Sequence, residues 1–90
     1  MTLSIIIVNY KSAGLIRASL LSIKQAEGFD ATSCEIIVVD NASGDDSEQQ
    51  LTSEFSEIRW IQMGYNSGFA RANNEGIRQS RGEVVLLLNP

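Results

Sequence analysis

A chain of 90 residues with one proline, one cysteine and no histidine is small even for a single domain. At this length it buries roughly 60–65% of its unfolded surface. The formal net charge of −4 argues against a nucleic-acid partner, which calls for a basic surface, although a nucleotide can still be held by backbone N–H groups and a single Arg.

The 43% hydrophobic and 20% charged composition is ordinary for a globular domain. With no His and a single Cys, the zinc-cluster pattern is excluded. Cys34 has no intrachain disulfide partner, which points to a reducing compartment, the cytoplasm. The apolar start, Thr2–Val8, is only a strand's length and has neither a basic flank nor a small-residue cleavage site. No run approaches the ~20 apolar residues of a membrane span. Repeats and linkers are missing too, so residues 1–90 read as one unit.

Leu3–Val8 is a buried-strand run that gives way to Asn9-Tyr10-Lys11-Ser12, with Ser12 a good helix N-cap. From Ala13 to Ala26, Ile16, Leu20 and Ile23 recur at helical spacing, with Arg17 and Lys24 turned outward and Gly28 closing the helix. Residues 29–33 are a loop. Glu35–Val39 is a second buried run, ending abruptly at Asp40-Asn41. Ser43 and Asp46 have the spacing of a capping box for a helix reaching Phe55. Glu57–Met63 alternates more weakly, as an edge strand does. After the turn residues Gly64–Gly68, Phe69 to Arg81 reads as a helix with an inner stripe of Phe69, Ala72, Gly76 and Ile77. Arg78 and Arg81 in its last turn and Gly82 beyond would complete its C-terminus. Glu83–Leu88 is the last strand, followed by Asn89-Pro90.

Strands apolar on both faces, alternating with amphipathic helices, predict a three-layer α/β/α fold with a four-stranded parallel, Rossmann-like sheet in the order 3-2-1-4. In such sheets ligands bind beyond the carboxyl ends of the strands. Asn9-Tyr10, Asp40-Asn41, Asn66-Ser67-Gly68 and Asn89-Pro90 all fall on that rim. Turn formation alone would account for several of these residues. It accounts less well for Asp40, since Ser43 would already cap the helix. No Gly-x-Gly-x-x-Gly, Walker-type loop or hydrolase elbow is present, and the first strand ends in Asn9 rather than an acidic pair.

Four stretches in this order, Ser4 to Tyr10, Glu35 to Ser43, Asn66 to Ala70 with Asn74 and Gly76, and Val84 to Pro90, resemble the nucleotide-binding half of family 2 glycosyltransferases. Val-Val-Asp-Asn-Ala-Ser followed by Asn-x-Gly-Phe-Ala is similar to rhamnosyltransferase-like members. The resemblance implies a GT-A fold and transfer of a sugar, with inversion, from a uridine- or thymidine-type nucleoside diphosphate donor to a saccharide or lipid-linked acceptor. It also implies a divalent metal, Mg or Mn. By position, Val8, Asn9 and Tyr10 would line the base pocket, with Tyr10 stacking on the base. Asp40 would accept a hydrogen bond from the base imide N–H, and Asn41 beside it would also belong to the nucleotide-binding set. Gly68 would let the backbone approach the nucleotide, and Arg71 would bring a positive charge.

In the family, the Asn-Pro that ends the last strand leads into the metal-binding Asp motif. Residues 1–90 are therefore expected to be a half-domain ending before that motif, with no catalytic or metal residue and no turnover of their own. Two other classes fit the same residues: a non-catalytic module that binds a nucleotide or a protein, and a nucleotidyltransferase with this sheet architecture. The unprotected run Glu83–Leu88 is also expected to drive self-association.

Overall fold

The structure is a computed structural model and describes residues 1–26, 28–30 and 32–89. Its elements are β1 (Leu3–Asn9), α1 (Ala13–Gln25), β2 (Cys34–Asp40), α2 (Ser47–Glu54), β3 (Arg59–Gln62), α3 (Phe69–Gln79) and β4 (Val84–Leu88). The strands form one sheet in the order β3-β2-β1-β4, parallel throughout, as the sequence predicts.

Two-sided burial of β1 and β2 follows from their unbroken β-branched runs, which leave an apolar side chain on each face at every step. On one face Ile5, Ile7, Ile36 and Val38 pack against Ile16 and Leu20 of α1 and against Leu51 and Phe55 from the α2 segment. On the other, Ile6, Val8, Ile37 and Val39 meet Ala72 of α3. The small residues of α3 let it lie close to the sheet. A Cβ on Gly76 would fall 2.6 Å from Ile6 Cγ2 and 3.1 Å from Val39 Cγ2.

Several local expectations are corrected. The inner stripe of α3 is Ala72, Asn73 and Gly76, while Phe69 and Ile77 are exposed. A helix seated this close on small residues displaces the large side chains that flank them. Phe69 is also the first residue of the helix. α3 stops at Gln79, so Arg81 lies outside its last turn, and Gly82 serves a contact rather than a cap. A Cβ there would stand 2.6 Å from the backbone nitrogen of Ser4. α1 ends at Gln25 with Ala26 as its C-cap, so Gly28 does not close it. α2 begins at Ser47, and the Asp45 carboxylate accepts the Ser47 N–H (3.1 Å) and its hydroxyl. Ser43 caps no helix; its hydroxyl is committed elsewhere. Ser12 does precede α1, but its hydroxyl donates to the Tyr10 carbonyl rather than accepting a cap bond.

At the amino end of the strands, Glu35 is the buried tie. Its Oε2 accepts the Ser4 hydroxyl (2.5 Å) and the Arg81 N–H (2.6 Å), and its Oε1 accepts from the Arg59 guanidinium (2.8 Å). One carboxylate thus joins β1, β2, β3 and the link from α3 to β4.

Candidate functional site

At the opposite end, the register of the sheet sets Asn9 beside Asp40 and Asp40 beside Gln62. The last residues of β1, β2 and β3 therefore form one polar row across the rim. Asp40 is buried in its centre and accepts four hydrogen bonds. Its Oδ1 takes the Asn9 amide (2.8 Å) and the Ser43 hydroxyl (2.6 Å). Its Oδ2 takes the Ser43 N–H (3.1 Å) and the Gln62 amide (2.9 Å). Asn9 is fully buried and held from its other end, its Oδ1 accepting the Ser12 N–H at 3.1 Å.

The chain leaves β1 and β2 through tight turns in which two non-glycine residues adopt left-handed backbone, Lys11 at φ 52° and Ala42 at φ 62°. Such residues cost roughly 1–2 kcal/mol each, and strain of this kind clusters at binding sites. Ser43 fastens the two turns to each other: its hydroxyl oxygen accepts the Lys11 N–H at 2.8 Å while donating to Asp40.

Asn41 does the same for the β3–α3 turn. Its N–H donates to the Asn9 carbonyl (2.9 Å). Its side-chain Oδ1 accepts the Ser67 N–H and hydroxyl, both at 2.8 Å, and its amide donates to the Gly68 carbonyl at 3.1 Å. Gly68 sits at φ 84°, where a Cβ would be strained. Tyr10, directly after Asn9, is 43% exposed, with the Lys11 ammonium 5.4 Å from its ring centroid. Arg71 is exposed in the first turn of α3.

The site residues named from the sequence thus divide by depth. Asn9, Asp40 and Asn41 are buried and hydrogen-bonded into a common scaffold, Tyr10, Gly68 and Arg71 are exposed around it, and Val8 lies beneath, packed into the α3-side core. Ser43 and Gln62 were missed. The signal for Ser43 was its place three residues after a strand-end Asp. The signal for Gln62 was its place at the end of the neighbouring strand.

A cleft of about 460 Å³ between α1 and α2 is no rival in chemistry, because its charged side chains, Arg17 and Glu54, are spent on each other at 2.7 and 2.8 Å. Among the described residues no three His, Cys, Asp or Glu side chains gather where a metal could be held. The Asp40 oxygens are already filled by N–H and O–H donors, so the described residues do not fit a divalent cation. No helix among them is long and apolar enough to cross a membrane.

A parallel α/β sheet with helices on both faces is the doubly wound architecture, in which ligands bind beyond the carboxyl ends of the strands, the rim where Asp40 lies. The sequence profile of glycosyl transferase family 2 matches residues 4–90, and the chain belongs to that family. It is 39% identical over 92 residues to the low-salt glycan biosynthesis hexosyltransferase Agl10 of Haloferax volcanii, across 98% of this chain and 27% of that protein. Among solved structures it is similar to S. aureus TarS 1-349 in complex with UDP-GlcNAc, at 29% identity and a TM-score of 0.80, over 99% of this chain and 26% of that one. The mannosyltransferase PcManGT of Pyrobaculum calidifontis, in complex with GDP-Man and Mn2+, shares the fold at 24% identity and a TM-score of 0.83, over 97% of this chain and 26% of that one. The chain spans about a quarter of the length of these relatives.

Proposed function

We propose that this chain forms the base- and ribose-binding half of a glycosyltransferase that moves a sugar from a uridine- or thymidine-type nucleoside diphosphate donor to a saccharide or lipid-linked acceptor, with inversion. The observation that carries the reading is the Asp40 carboxylate, buried at the rim and fixed by Asn9, Ser43 and Gln62, with the exposed Tyr10 following Asn9 at the end of β1. A TarS structure with UDP supports it by likeness, at 27% identity and a TM-score of 0.82.

In this reading Tyr10 stacks on the base, and Asp40 accepts the imide N–H that uracil and thymine carry. Asn9 orients that carboxylate and Val8 floors the pocket. Asn41 holds the turn at Gly68, whose missing Cβ leaves room for the nucleotide, and Arg71 brings a charge toward its phosphates. The binding half orients the donor, while the acceptor hydroxyl's attack on the anomeric carbon requires groups beyond these residues. The family's metal, which would neutralise the diphosphate leaving group, belongs to the Asp motif that follows Asn-Pro in the family. These 90 residues alone should therefore bind without turnover. The likeness to rhamnosyltransferase-like members and the hexosyltransferase relative both suit a six-carbon sugar. Cell-wall or polysaccharide assembly in the cytoplasm suits the donor and the free Cys34.

Titrating the chain with uridine diphosphate while following its amide resonances tests the reading. Shifts should concentrate at Tyr10, Asn41 and Gly68, leaving Glu35 and Arg81 at the opposite end unmoved. Shifts spread evenly, or gathered between α1 and α2, would contradict it.

A further inference from the structure

Asp40 presents a problem of lone pairs. An ionised carboxylate offers about four acceptor sites, and in this structure four donors already occupy them. A base imide N–H can bond to Asp40 only if one of these donors withdraws. Three of them come from buried residues, Asn9 and Ser43, which also hold the β1 and β2 turns. The fourth comes from Gln62, an exposed residue at the end of the edge strand β3.

The orientation of the Gln62 amide is settled by chemistry on three sides. Its Oε1 accepts the Trp60 indole N–H at 3.2 Å, and its Nε2 donates to the Met63 carbonyl at 3.0 Å as well as to Asp40 Oδ2 at 2.9 Å. An indole N–H only donates and a carbonyl only accepts, so the amide cannot be reversed. Because the bond to Met63 can persist when the bond to Asp40 is given up, withdrawal leaves Nε2 with a partner.

We infer that Gln62 is an exchangeable donor that keeps the base-recognising carboxylate satisfied in the free chain and yields Oδ2 to the imide N–H of a pyrimidine base. The inference rests on the reading of Asp40 as the base acceptor. Gln62 is on this account a positioning residue that sets how tightly an imide base is held. It fills the one acceptor position on Oδ2 that Asn9 and Ser43 leave open between rounds of binding, and it competes with the ligand.

The test is the affinity of the 90-residue chain for uridine diphosphate in the wild type, Gln62→Met, Asp40→Asn and the double variant. Methionine keeps the length of the side chain and removes the donor. Exchange predicts that Gln62→Met binds about two- to tenfold more tightly, the reach of one ordinary hydrogen bond. It also predicts that this gain vanishes in the Asp40→Asn background. The side-chain amide signals of wild-type Gln62 should move on titration, while the backbone amide spectrum of Gln62→Met reports an intact fold. Unchanged or weaker binding by Gln62→Met, or Gln62 side-chain signals that stay still, would overturn the exchange. Asp40→Asn binding as the wild type does would instead overturn the role of Asp40, and the exchange with it.

Discussion

Two carboxylates anchor this chain, one at each end of β2, and they are held differently. Asp40 is met by side-chain amides, a hydroxyl and one N–H, all neutral. Glu35 has a cation as well, and its pKa lies below the ordinary glutamate value. Burial alone would raise it, but the Ser4 hydroxyl, the Arg81 N–H and the Arg59 guanidinium together outweigh that effect. A depressed folded-state pKa means that the carboxylate's contribution is complete above the unfolded value, about 4.3, and is lost as pH falls through the lower folded value. Glu35→Gln should therefore be less stable than the wild type at neutral pH, with the gap closing as pH falls below about 4. Urea unfolding at a series of pH values would show this. A gap independent of pH would mean that Glu35 acts through packing alone.

Elements differ in how much of them is legible in the sequence. The order of the sheet followed from apolar runs alternating with helical patterns, because each run has to be covered on both faces. What escaped depended on which strand ends and turns the fold brings together. Ser43 fits a local capping pattern with Asp46, yet the end of β2 offers its hydroxyl a carboxylate and the strained Lys11 N–H. Gln62 acquires meaning only from the register of β3 on β2, and Gly82 only from its approach to Ser4. Strand edges, in contrast, were plain. β3 is four residues long and carries Arg59, features that discourage further pairing. β4 carries no charge, and Val84, Leu86 and Leu87 are 59%, 47% and 47% exposed. We propose that the 90-residue chain self-associates by pairing β4 with its copy. Antiparallel pairing about Leu86 sets Glu83 opposite Asn89, whereas parallel pairing in register would set two Glu83 carboxylates together. Sedimentation equilibrium should show the apparent mass rising with concentration, and Leu86→Lys should abolish the rise. A constant monomer mass over the whole series would contradict the proposal.

Across the whole molecule, two hydrogen-bonded polar clusters are separated by the length of the sheet. The amino end is closed by the Glu35 tie, while the carboxyl end gathers Asn9, Asp40, Asn41 and Gln62 around turns that hold left-handed backbone at Lys11 and Ala42. Candidate residues carried over by likeness could be named without the structure, but their hydrogen-bonding state could not, since it depends on three strands meeting in register. Whether the rim holds a nucleotide through Asp40 is measured most directly by the dissociation constant of uridine diphosphate for the wild type and for Asp40→Ala. A hydrogen bond to a charged group is worth about 1.5–3 kcal/mol, so the variant, with its fold verified from its amide spectrum, should bind about tenfold more weakly or worse. Equal affinity in the two folded proteins would contradict the account.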